Sequence, residues 1–92
     1  MTTENVIQIP AIVDIKKDGS ASIFIPGIDI TVHGTDFADG LAKASLRGGA
    51  IYFYCKERNI DISLITSYED VVNICIENHS KNAFVAYIRF IS

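Results

Sequence analysis

The chain has 92 residues, enough for one domain spanning 1–92 and no second. Apolar residues make up 49% and charged residues 21%, which excludes intrinsic disorder. A net charge of −3 argues against a dedicated nucleic-acid binder and fits a basic protein partner better.

Residues 6 to 16 alternate. Ile7, Ile9, Ala11, Val13 and Ile15 point one way; Gln8, Pro10, Asp14 and Lys16 point the other. Period two over this length predicts a half-buried strand. Pro10 cannot donate to a ladder, so either pairing begins after it or a bulge lies there. Asp18-Gly19 marks a tight hairpin turn. Ala21, Ile23 and Ile25 carry a second strand. Pro26-Gly27 breaks the ladder, and Ile28, Ile30 and Val32 carry a third, closed by Gly34.

Asp36 is placed as an N-cap, with Asp39 at N3 of an approximate capping box. Phe37, Leu41, Ala44, Gly48, Ile51 and Cys55 then share one helical face, predicting a helix to about Asn59. Gly48 lies in that stripe, where a missing side chain permits close approach to a sheet. Gly40 and Gly49 have no such role in the pattern, and Gly48-Gly49 leaves room for a local irregularity. Residues 60–66 read as a connector. Ser67 and Asp70 mark a second cap, and a short helix to about Asn78 follows. The run from Val71 to Ile76 is β-branched enough to be a strand instead. After a turn at 79–82, Phe84, Ala86, Ile88 and Phe90 alternate with Val85, Tyr87, Arg89 and Ile91. Apolar character on both faces suits an interior strand or one buried in an oligomer.

The expected class is α+β, in the order β-β-β-α-(α)-β. The sheet is expected to be mixed and four-stranded, with its last strand parallel to the first and the long helix on one face.

Pro10-Ala11, Asp18-Gly19, the stretch from Phe24 to Ile28, His33-Gly34 and the capped helix occur in an order that resembles the HicB-like antitoxin domain. Ala83-Phe84-Val85-Ala86 is similar to that family's last strand. The family's Pro-Asp-Leu-Pro-Gly is shortened here to Pro26-Gly27-Ile28-Asp29, and its Glu-Ala pair at the helix start is Asp39-Gly40. The resemblance implies a partial ribonuclease-H-like fold that binds HicA, a small basic mRNA-cleaving toxin, and covers its catalytic surface. Many members add a C-terminal DNA-binding segment. None is seen here, so no DNA binding is expected of this chain alone.

Asp29, Asp36 and Asp39 are the candidate toxin-facing residues, expected to cluster around the third strand and the helix start. The alternative reading is an RNA-binding module in which Tyr52, Tyr54, Lys56 and Arg58 contact single-stranded RNA. No catalytic, metal-binding or cofactor-binding residue is expected, and the chain reads as a non-enzyme. Asp14 is the single strand acid suited to a two-metal nuclease and reads as a solvated residue. His33 reads as an exposed sheet residue and His79 as a helix-end residue. Cys55 and Cys75 read as packed free thiols in a reducing cytosol. Met1–Asn5 lacks signal-peptide character, and no apolar run approaches the ~18 residues of a membrane span. A chain this small buries about 64% of its unfolded surface. That, with the two-faced last strand and the helix aromatics, predicts a homodimer.

Overall fold

The computed structural model describes residues 6–79 and 81–91; Met1–Asn5, Ser80 and Ser92, with the leader reading of the first five, lie outside them. Strands β1 (Val6–Ile15), β2 (Ala21–Ile25) and β3 (Ile30–Gly34) are followed by helices α1 (Phe37–Glu57) and α2 (Tyr68–Asn78) and by strand β4 (Phe84–Ile91). The strands form one sheet in the order β3-β2-β1-β4.

Local chemistry sets the turns. The β1–β2 hairpin closes with Lys16 N–H donating to the Ser20 carbonyl at 2.8 Å, leaving a three-residue loop in which Gly19 takes φ 89°. The Asp18 carboxylate accepts from Ser20 N–H and Oγ at 2.9 and 2.6 Å, bonds that hold its pKa below the ordinary value. Between β2 and β3, Gly27 and Asp29 have φ 95° and 61°. Asp29 in the left-handed region cannot extend a strand, so β3 begins at Ile30 and Ile28 belongs to the turn.

The sheet is wholly antiparallel, where a mixed one was expected. A chain returning from α1 straight into β4 would run parallel to β1. The second helical leg, α2, reverses it once more, and β4 meets β1 antiparallel from Val6↔Ile91 to Val13↔Phe84. In the order β3-β2-β1-β4, β4 is an edge strand among the described residues, and β1 and β2 are interior. Pro10 breaks nothing: the β1–β2 pairs start at Ile12, past it, and the β4 register runs through Pro10↔Tyr87 without a bulge.

The helices take opposite faces. α1 contacts β2, β3 and β4, whereas α2 contacts β1 and β4. The larger core, on the α1 side, joins Ile9, Val13, Ile23, Ile25, Ala44, Ile88 and Phe90. The smaller joins Ile12 to Val71 and Cys75 under α2. Successive connector residues serve both, Leu64 packing on the first and Ile65 on the second. This segment rounds the end of the sheet beside Gly27, where a Cβ would meet the Ser63 carbonyl.

Both caps form as expected. The Asp36 carboxylate accepts from Asp39 N–H at 2.8 Å, and Ser67 Oγ accepts from Asp70 N–H at 3.3 Å. Residues 68–78 are a helix. α1 ends two residues before Asn59, which takes φ 54° in a Schellman-type stop: Asn59 and Ile60 N–H donate to the Lys56 and Cys55 carbonyls. α1 runs unbroken through Gly48-Gly49, without the local irregularity that the pair leaves room for. Gly40 and Gly49, like Gly48, face the sheet; their added Cβ atoms would stand 3.1 Å from Ile23 Cδ1 and 3.0 Å from Phe90 Cβ. Glycine lets a helix whose pattern offers few large apolar residues sit close enough to seal the core.

Candidate protein-interaction surface

β3 pairs only with β2 among the described residues, so its outer backbone groups form an open edge. Beside it, β3 and α1 enclose a groove of about 640 Å³ lined by Thr31, Val32, His33, Lys43, Leu46 and Arg47. Lys43, Leu46 and Arg47 fall at three- and four-residue steps, which sets them on one helix flank. The sequence alone reads Lys43 and Arg47 as a solvated face. Their placement over an open strand edge depends on which flank of α1 faces β3.

The three candidate acids are not one cluster. Asp29 sits in the turn before β3, its carboxylate accepting from Gly27 N–H at 3.1 Å. Asp36 and Asp39 lie past the other end of the strand, at the start of α1. Asp39 accepts from Thr35 N–H at 2.9 Å and pairs with Lys43 Nζ at 3.0 Å. The Thr35 bond, and after it Lys43, hold the Asp39 carboxyl below the ordinary carboxylate range. The acids bracket the β3 edge, one at the near end and two at the far end, with the Lys43–Arg47 flank between them.

The aromatic and basic residues of α1 form two separate i,i+4 pairs. Tyr52 is half-buried against Phe90, ring centroids 5.6 Å apart, with Lys56 Nζ 5.6 Å from its ring centre. Tyr54 is exposed, and the Arg58 guanidinium lies 3.9 Å from its ring centre. Two residues apart on a helix, the two rings point in different directions, so they do not make one stacking platform.

His33, at the β3 edge, shares a hydrogen bond with Ser22 Oγ through Nδ1 at 3.1 Å. His79 caps α2, its N–H donating to the Cys75 carbonyl, and its ring lies 5.6 Å from that of Phe24. Cys75 is buried under α2, and Cys55 is half-buried; both are free thiols. Burial, and then the nearby charge of Asp14, push the Cys75 thiol up, which makes it a poor nucleophile. Asp14 is half-buried rather than fully solvated. Among the described residues no three His, Cys, Asp or Glu side chains gather to hold a metal ion. No described helix is long and apolar enough to cross a membrane.

Compared with protein-family models, with curated proteins and with solved structures, the chain matches none.

Proposed function

We propose that the chain is a non-enzymatic interaction domain of the HicB-like antitoxin kind, which binds and occludes a small basic mRNA-cleaving toxin of the HicA type. The open β3 edge, bracketed by Asp29 at one end and by Asp36 and Asp39 at the other, carries this reading. An extended toxin segment adds to β3 through its main chain, and side chains on its α1 side enter the groove. The acids at the two ends attract basic residues flanking that segment and raise the rate of encounter. The ordered turn and cap motifs of the HicB-like resemblance supply the partner class, and the net charge of −3 suits it. In this reading the chain works in the cytosol, carries no cofactor and does not bind DNA by itself.

Co-expression and pull-down with a small basic toxin of this type test the proposal. A stable complex that relieves toxicity is expected. Thr31→Arg, which adds bulk and charge at the exposed edge, should weaken it about 30-fold or more. Asp29→Asn with Asp36→Asn keeps the turn and the cap but removes two charges, and should slow salt-dependent association. Toxicity that persists, with no complex formed, ends the reading.

The exposed Tyr54–Arg58 pair favours a second reading, an RNA-binding module without catalysis, in which the Tyr52–Lys56 pair on another flank of α1 makes a separate contact. Salt-dependent binding of single-stranded RNA that is lost in a Tyr54→Ala, Arg58→Ala double variant would support it. No binding at low salt would remove it.

A further inference from the structure

We propose that the β4 edge is the seam of a homodimer, in which a second copy lays its own β4 antiparallel across a two-fold axis and the two sheets become one of eight strands. This inference does not rest on the toxin reading, which uses the opposite edge of the sheet, although Leu46 borders both grooves.

β4 is the longer of the two edges, eight residues against five for β3. It lacks the devices that keep an edge from pairing: it has no Pro and no Lys, and its register with β1 is unbroken. Its one charge, Arg89, is turned toward β1, where Nε donates to Gln8 Oε1 at 3.0 Å.

Apolar surface continues from the strand onto both layers. On the α1 side, Leu46, Gly49, Ala50, Phe53 and Phe90, with Ser45 and Arg89 as the polar members, line a groove of about 470 Å³. Leu46 is 76% exposed and Phe53 41%. Phe84, 42% exposed, packs on Phe37 at the start of the strand, the ring planes tilted by 59°. On the α2 side, Tyr87 and Tyr68 are 46% and 47% exposed, with ring centroids 5.7 Å apart. At 150–250 Å² per aromatic side chain, these exposures sum with Leu46 to on the order of 400 Å² of apolar surface per copy. A standard interface covers about 800 Å² per partner, so pairing of the strand backbone and its flanks must supply the remainder.

The second copy is the occupant because the surface complements itself. A two-fold axis normal to the sheet keeps both α1 helices on one side, so opposed residues share a face and the axis passes through a residue. Centred on Tyr87, it sets Ala86 against Ile88 and Phe84 against Phe90. Centred on Ile88, it sets Ala86 against Phe90, both on the α1 face. Only a centre at Arg89 opposes like charges, which disfavours that register. In either favoured register the two α1 helices meet over the seam, and Phe53 of each closes the groove of the other. The same patch on both partners is what closed two-fold assembly requires. Both β3 edges stay open at the far ends of the joined sheet.

Sedimentation equilibrium of the full chain at micromolar concentration tests the seam. A mass twice that of the 10.1 kDa chain is expected. Tyr87→Lys at the edge and Phe53→Glu on the helix surface should each weaken the dimer about 30-fold or more. Circular dichroism of each variant reports whether it is folded, and the helix-surface change stands alone if the strand change impairs folding. Thr31→Arg at the β3 edge should leave the dimer intact. A monomer at these concentrations overturns the proposal. So does a dimer that survives Tyr87→Lys and Phe53→Glu, or one that Thr31→Arg disperses. Toxin binding retained by a monomeric Tyr87→Lys would keep the two readings separate.

Discussion

Gly49 presses its backbone onto Phe90, so that a Cβ added to Gly49 would stand 3.0 Å from the Phe90 Cβ. The opposing atom is next to the β4 backbone and has little freedom to retreat. At Gly48 the corresponding neighbour is Ile25 Cδ1 at 3.3 Å, the far end of a longer side chain. An added methyl gains about 1 kcal/mol of helix propensity at either site, while overpacking costs about 1–3 kcal/mol where nothing yields. Gly49→Ala should therefore destabilise by about 1 kcal/mol, and Gly48→Ala should be close to neutral. Thermal melts of both rank them; the reverse order would show that α1 does not lean on β4.

Gly34 and Gly40 meet backbone to backbone where β3 passes into α1. A Cβ on Gly34 would run into the Gly40 backbone and stand 2.9 Å from the Asp36 carbonyl oxygen. No rotamer change relieves that contact. Gly34→Ala should cost at least about 3 kcal/mol, measured by urea denaturation. A loss below about 1 kcal/mol would mean that the β3–α1 corner yields enough to admit a methyl group.

The N-terminus of α1 should weaken in acid. The Thr35 bond and the Lys43 ion pair hold the Asp39 pKa below its unfolded value, so folding is favoured while the carboxylate is charged. That contribution is complete above the unfolded pKa, about 3.9, and is lost as pH falls through the lower folded value. Asp39→Asn should flatten the stability profile below about pH 4 and converge with the parent at the acid end. Melting curves from pH 6 to pH 2 measure it, and parallel profiles for the two proteins would refute the linkage.

Ile12 joins the central strand to Val71 and Cys75 of α2 and is 1% exposed. Ile12→Ala should cost about 2–5 kcal/mol, as large-to-small changes in cores do. Hydrogen exchange should accelerate more in α2 than in α1, because α1 packs on the opposite face. Equal loss of protection in both helices would show that the two cores are not separable.

Much of the fold is legible in residue order because its causes are local. Alternation in Ile7 to Ile15, the turn at Asp18-Gly19, and the caps at Asp36 and Ser67 each depend on neighbours within a few positions. These signals fix element type, and the structure keeps the expected sequence of elements. Asp29 is the local exception: a left-handed residue in the turn removed Ile28 from β3.

What the chain order left open was direction, edge and facing, and these only the tertiary structure decided. The β4 pattern, apolar on both faces, suits an interior strand or one buried in an oligomer, yet the strand lies at the sheet edge, and its antiparallel run against β1 follows from the extra reversal made by α2. Gly40 and Gly49 look unmotivated in a helical pattern that seeks large apolar residues, because the sheet beneath them comes from residues far away in the chain. Asp29 and Asp36 are seven positions apart, yet β3 runs between them and holds them at opposite ends. The candidate surface, an open β3 edge beside Lys43 and Arg47, exists only once α1 has chosen its flank. Periodicity records which residues avoid water; which partners they meet depends on how distant segments close on one another, and that information is spread over the whole chain.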